Sequence, residues 1–156
     1  ITFKNMTVTN TSEDGRGIWM SNAKVELFDV ALKECESTAL RIHFPDSATT
    51  LVATRCVFAN SNNGVLVSGS LSSATFNNCV FNDNENDGIS EANGATIHLH
   101  GEATAIHSNG RIGIYALYSG KIIIHLPSHH NTSYNNGEDD RKTTGNDTAT
   151  ITNVED

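Results

Sequence analysis

Short apolar segments recur about every 24 residues along the chain. The segment at 56–60, CVFAN, returns 23 residues later at 79–83 as CVFND, and segments 30–34 and 6–10 keep the same alternation at offsets of 26 and 24. A second type of segment, a small residue followed by alternating apolar residues, begins at Gly17, Ala39, Gly64, Gly88 and Gly113. A repeat of this length restricts the chain to a solenoid or a related repeat architecture.

Each recurring segment predicts a short β-strand with one buried face. The segments are three to five residues long, alternate with a period of two, and are rich in β-branched and aromatic residues. Asn-Gly and Asp-Gly pairs between them predict turns, and no stretch has the apolar stripe of a helix. Three short strands per coil of 22–27 residues predict an all-β, right-handed parallel β-helix of about six and a half coils.

We expect one domain over residues 1–156, with an irregular surface loop at 128–148 where almost nothing is apolar. Inside the coils, like residues should form columns, such as Val8, Leu32, Phe58 and Phe81. A second column should contain Ile18, Leu40, Val65, Ile89 and Ile114. A polar ladder at one inward turn should contain Asn10, Glu34, Asn60 and Asp83. Acids such as Glu26 and Glu91 are expected on the outside.

These segments, the Asn-Gly turns and the Asn10 and Asn60 positions resemble the right-handed parallel β-helix (pectin-lyase-like) superfamily over nearly the whole chain. That superfamily includes polysaccharide lyases, polysaccharide hydrolases, phage tailspikes and non-catalytic adhesins. The resemblance therefore implies an architecture and leaves the chemistry open.

The charge and the apolar runs of the chain exclude two kinds of partner. The number of cysteines restricts disulfide pairing. The chain has 10 basic and 18 acidic residues and a net charge of -8, which argues against nucleic acid. The longest apolar run, residues 121–126, is too short for membrane insertion. Cys35, Cys56 and Cys79 cannot all pair. We expect the last two to be buried thiols and Cys35 to be the most reachable.

The resemblance implies calcium-binding acids with an Arg or Lys base in a lyase, or clustered Asp with Gly-His-Gly and Arg-Ile-Lys segments in a hydrolase. Here Asp139 and Asp140 are the only adjacent Asp pair, and Arg111-Ile112 is followed by Gly113. Asp139 and Asp140 are therefore catalytic candidates, together with the face that carries His98, His100 and His125, and calcium is expected only if the protein is an enzyme. Otherwise we expect no cofactor.

Two groups of residues predict binding sites. His98 and His100 should point outward from one strand with His125 one coil above, a set able to bind a transition metal or to form an ordinary polar surface. Trp19, Arg41, His43 and Tyr115 should lie on an outer face and could bind a glycan, although Trp19 and Tyr115 would be about 19 Å apart. Alternatively, those aromatic residues pack under a turn or against another chain.

Sequons occur at Asn5, Asn10, Asn131 and Asn146. The leading hypothesis is a non-catalytic extracellular structural or adhesive module at a cell or virion surface. It would stack end to end into a fibre or form part of a longer β-helix, because residues 149–154 resemble residues 1–6 and neither end has a cap. Its partners would be other copies, further coils or a polysaccharide. The alternatives are a carbohydrate-active enzyme, or a fragment of one, and a glycan-binding module without turnover.

Overall fold

The chain folds into a parallel β-helix in which each coil rests on the one before it. The computed structural model of the chain describes residues 1–125, 132–145 and 148–155. All of its paired strands are parallel, and each pairs with strands of the neighbouring coils. The described residues form six coils and the first strand of a seventh, which confirms the predicted all-β parallel β-helix.

Three faces run along the helix. Face 1 contains the first halves of β1 (Thr2–Asn10) and β3 (Lys24–Cys35), then β5 (Thr49–Thr54), β8 (Ser72–Asn77), β11 (Thr96–His100), β14 (Lys121–His125) and β17 (Thr150–Asn153). Face 2 contains the second halves of β1 and β3, then β6 (Val57–Ala59), β9 (Val80–Asn82), β12 (Ala105–His107) and β15 (Ser133–Tyr134). Face 3 contains β2 (Ile18–Met20), β4 (Thr38–Ile42), β7 (Asn63–Ser68), β10 (Ile89–Ala92), β13 (Ile112–Leu117) and β16 (Asp139–Thr144).

The core consists of inward side chains arranged in columns. Leu32 pairs in register with Phe58, and Phe58 with Phe81, as the repeat predicted. The rings of Phe58 and Phe81 stack with their centroids 5.0 Å apart, and Phe76 contacts both rings edge-on. The predicted column from Ile18 to Ile114 is also in register on face 3. Removing these columns from water is the main favourable contribution to the stability of the fold.

At three of its four predicted positions, the inward polar ladder lies one residue further along the chain; the fourth, Asn10, is in register with the inward Cys35. Glu34, Asn60 and Asp83 are exposed and have φ angles of 54°, 49° and 55°, in the left-handed region. A single left-handed residue interrupts the two-residue alternation of the strand, so the residue that follows it points inward. The polar ladder therefore consists of Ser61, Asn84, Asn109 and Asn136.

The prediction of a surface loop over 128–148 is wrong for residues 132–145, because these residues contain β15 and β16. Ser133 pairs with Ile106, and β16 pairs with β13 along face 3. These strands contain almost no apolar residues, so their pattern resembles that of a loop. Backbone hydrogen bonds to the preceding coil hold them, together with a bond of 2.7 Å that the Ser133 hydroxyl donates to the Asp140 carbonyl.

All three cysteines are free and buried. Cys35, expected to be the most reachable, is only 2% exposed. It follows the left-handed Glu34 and so points inward, and its backbone N–H donates to the Ser61 hydroxyl at 3.0 Å. The prediction that Cys35 would be reachable is therefore wrong.

Candidate functional site

A cationic and aromatic surface lies at the first coils of face 3. Ile18 and Leu40 belong to the inward column, so the alternation of β2 and β4 directs Trp19 and Arg41 outward, and these two residues pair in register. His43 and Phe44 follow β4, and Arg16 precedes β2. We call Arg16, Trp19, Arg41, His43 and Phe44 the Trp19 patch.

The Trp19 patch is open to solvent and held by ring contacts. The guanidinium of Arg16 lies 5.0 Å from the centroid of the Trp19 ring, in cation–π geometry. The ring of His43 contacts Trp19 at 5.7 Å and Phe44 at 5.2 Å, edge-on in both cases. Trp19 is still 59% exposed and Phe44 52% exposed. Both aromatic rings can therefore contact a ligand on the outer surface.

Three buried nitrogens of the patch lack hydrogen-bond partners among the residues that the structure describes: Nε of Arg16, Nε of Arg41 and Nδ1 of His43. Burial, and then the nearby charge of Arg16, lower the pKa of Arg41 from its ordinary value. Within residues 1–125, 132–145 and 148–155, no carboxylate forms an ion pair with either arginine. Glu13 and Asp14 instead line a groove that none of the patch residues lines. The patch thus carries positive charge without an acidic partner in the described part of the chain.

Tyr115 does not belong to this patch. It lies in the same outward column as Trp19, but four strands further along face 3. At ~4.8 Å per strand, the two side chains are about 19 Å apart. The Tyr115 hydroxyl lies 3.2 Å from the Thr144 hydroxyl.

A second candidate site is the histidine cluster, which consists of His98, His100 and His125 on the outside of face 1. Ile97 and Leu99 are buried, so the alternation of β11 directs both of its histidines outward. β14 pairs with β11 in the register that places His125 beside His100. The structure thus brings together all three residues of the predicted metal site.

The rings of the histidine cluster lie nearly parallel. The centroids of His100 and His125 are 4.0 Å apart, and Nδ1 of His98 lies 2.9 Å from Nε2 of His125. One nitrogen from each ring can be chosen so that all three lie within 4.8 Å of one another. Burial, and then the charge of His125, lower the pKa of His98. The neutral imidazole, which is the form that binds metals, is thereby favoured.

The catalytic candidates have other contacts. Asp139 lies 3.6 Å from the Lys142 ammonium, and Asp140 accepts bonds of 3.1 and 2.8 Å from the backbone and side-chain amides of Asn136. The two residues are successive in β16, so their side chains point to opposite sides of the strand. This geometry does not form a pair of facing carboxylates.

The sequons differ in their surroundings. Asn5 is exposed in β1. The Asn10 side chain is part of a turn, where its Nδ2 donates to the Arg16 carbonyl at 3.0 Å and its Oδ1 accepts from Ser12. Asn131 and Asn146 lie outside the described residues.

Glu91, which the sequence analysis placed outside, is fully buried. It pairs in register with Val67 and Ala116, both of which point inward. Neither of its carboxylate oxygens has a hydrogen-bond partner in the described part of the chain. Burial raises the pKa of Glu91 to about 8. Strict alternation from Ile89 would have placed it correctly, but its charge favoured the outer face.

Arg16 and Phe44 are binding candidates that the sequence analysis missed. Both lie in irregular segments between strands, where alternation predicts no direction for a side chain. The available signal was their position within three residues of Trp19 and Arg41, respectively.

Comparison with known proteins identifies the family. The family model described as a right-handed beta helix region matches residues 1–121. This match covers more than half of the chain, so the chain belongs to the right-handed β-helix family. No curated protein and no solved structure matches the chain. Among the described residues, no helix has the length and apolar character needed to cross a bilayer.

Proposed function

We propose that the chain is a non-catalytic extracellular β-helix module that adheres to acidic polysaccharides through the Trp19 patch. The observation that supports this most is the pair of half-buried guanidinium groups of Arg16 and Arg41, which lie beside an exposed Trp19 and have no ion-pair partner among the described residues. A guanidinium that has no carboxylate partner and lies beside an exposed aromatic ring favours an external anion.

The aromatic residues of the patch match the apolar face of an acidic sugar, and its arginines match the acidic group. The exposed faces of Trp19 and Phe44 can stack on the apolar face of a sugar ring. The guanidinium of Arg41 can form paired hydrogen bonds to a carboxylate or sulfate. The net charge of -8 disfavours non-specific attraction of a polyanion elsewhere on the surface, so binding should depend on these residues.

Affinity electrophoresis in gels containing polygalacturonate tests the proposal. We expect the native chain to be retarded, and the retardation to decrease with added salt because it depends on arginine charges. Trp19→Ala and Arg41→Gln should each weaken binding about tenfold, equivalent to ~1.4 kcal/mol. A gel containing neutral galactan should cause little retardation.

Arg111→Gln is the matched control, because Arg111 is an exposed arginine directly before β13 of face 3 that already pairs with Glu138. It should leave retardation unchanged. Equal mobility of the native chain with and without polygalacturonate would contradict the proposal, as would full retardation of both patch variants. Release of new reducing or unsaturated sugar ends in the same samples would contradict the non-catalytic assignment.

A further inference from the structure

The histidine cluster has the dimensions of a metal site. Imidazole nitrogens bind Zn²⁺ at about 2.0–2.1 Å, so two such ligands of one ion are about 2.9 Å apart at a right angle and about 3.3 Å apart at a tetrahedral angle. Nδ1 of His98 and Nε2 of His125 are 2.9 Å apart. One nitrogen of each of the three rings can be chosen so that all three lie within 4.8 Å of one another, and small side-chain rotations can bring them to these ligand separations.

The surroundings of the cluster favour a borderline transition metal over calcium or magnesium. The candidate ligands are three imidazoles, which suit zinc, copper, nickel and cobalt, whereas calcium and magnesium require oxygen ligands. On β8, the residues in register with His98 and His100 are Thr75 and Asn77, so these neighbours provide no carboxylate ligand. All three histidines are half-buried, so their outer side can admit water as a further ligand.

We propose that His98, His100 and His125 bind one divalent transition-metal ion of the zinc class, with water completing its coordination. The site is independent of the Trp19 patch, since it lies on face 1 and the patch lies on face 3. Two ligands come from one coil and the third from the next, so the ion joins adjacent coils and stabilises the folded state by mass action.

Titration calorimetry of the full chain with ZnCl₂ tests the site, with His98→Gln and His125→Gln as variants. We expect one ion per chain and a loss of affinity of about tenfold or more in each variant. His107→Gln is the matched control, because His107 is a half-buried histidine of face 2 whose ring stacks on Tyr134. The double variant His129→Gln, His130→Gln removes two histidines that lie outside the described residues, and should retain binding.

A second measurement separates loss of the site from loss of the fold. Zn²⁺ should raise the Tm of the native chain and of the His107→Gln variant but leave the Tm of His125→Gln unchanged, with circular dichroism confirming that each variant is folded. Visible ligand-field bands should appear when Co²⁺ is added to the native chain and be absent in His125→Gln. Equal zinc affinity in His125→Gln and His107→Gln, or no binding by the native chain, would overturn the proposal.

Discussion

The side-chain amide of Asn84 donates to Oδ1 of Asn109 at 2.9 Å, directly across adjacent coils. The same Asn84 nitrogen also donates to the Phe58 carbonyl at 3.1 Å, and the Asn109 amide repeats both contacts with Asn136 and Phe81. Both asparagines are only 2% exposed. The polar ladder therefore satisfies backbone groups at a turn that water cannot reach.

Replacing Asn109 by alanine should lower the free energy of unfolding by about 1–3 kcal/mol, because buried partners on both neighbouring coils lose their bonds. Urea denaturation measures the change. Asn82→Ala is the control, since Asn82 is a half-buried residue that points outward from β9, and its replacement should change stability by at most about 0.5 kcal/mol. Equal effects of the two substitutions would contradict a structural role for the ladder.

The buried Glu91 should make stability decrease as the pH rises. Its pKa is raised from 4.5 in the unfolded chain to about 8 in the folded chain, so between these values the folded state holds a proton that the unfolded state has lost. Its contribution is complete below pH 4.5 and decreases by about 1.4 kcal/mol per pH unit until about pH 8.

Glu91→Gln should remove this contribution, which urea denaturation between pH 5 and 8 would show as a smaller decrease than in the native chain. Glu102→Gln, at an exposed acid, should keep the native dependence. If the native chain and Glu91→Gln had parallel pH profiles, Glu91 would not be buried in the folded state.

Gly120 and Glu91 should be energetically coupled. A Cβ atom at Gly120 would overlap a carboxylate oxygen of Glu91, so Gly120→Ala requires the buried side chain to move. We expect Gly120→Ala to destabilise the native chain but to be tolerated when Glu91→Ala is also present. A double-mutant cycle by urea denaturation should give a coupling energy of about 0.5–3 kcal/mol. Simple additivity would show that a side chain at position 120 does not contact Glu91.

The three thiols should resist labelling in the folded protein. Their exposed fractions are 2% for Cys35, 1% for Cys56 and 0% for Cys79. Contact with Cys56, and then burial, raise the pKa of Cys79, which further suppresses its reactive thiolate. A thiol reagent should therefore label all three cysteines in urea and almost none without it. Rapid labelling of Cys35 in the folded protein would support the original expectation instead.

The coils and columns could be predicted from the sequence because apolar residues such as Leu32, Phe58 and Phe81 recur at equivalent positions. The histidine cluster was predictable for the same reason, since its location follows from alternation along β11 and one coil step to β14. Both arguments use only the strand period and the repeat length.

Other features depend on properties that the residue pattern does not contain. The polar ladder was misplaced at Glu34, Asn60 and Asp83 because nothing about Glu34 marks a left-handed φ, while Asn60 and Asp83 are of types that tolerate this conformation without requiring it. β16 was missed because its pairing relies on backbone hydrogen bonds, which every sequence can form. Arg16 and Phe44 were missed because they join the patch from irregular segments.

The left-handed residues at the turns, such as Glu34, Asn60 and Asp83, also explain how coils of unequal length keep their columns aligned. The residue that follows each left-handed residue points inward, and the alternation continues from there. The inward positions of a strand therefore do not depend on how many residues precede the turn. Residues added between strands lengthen one turn without changing which side chains face the core, whereas one added within a strand exchanges its two faces. We therefore expect this fold to tolerate insertions between strands, near a left-handed residue, but not within a strand. The number of residues per coil can vary for the same reason.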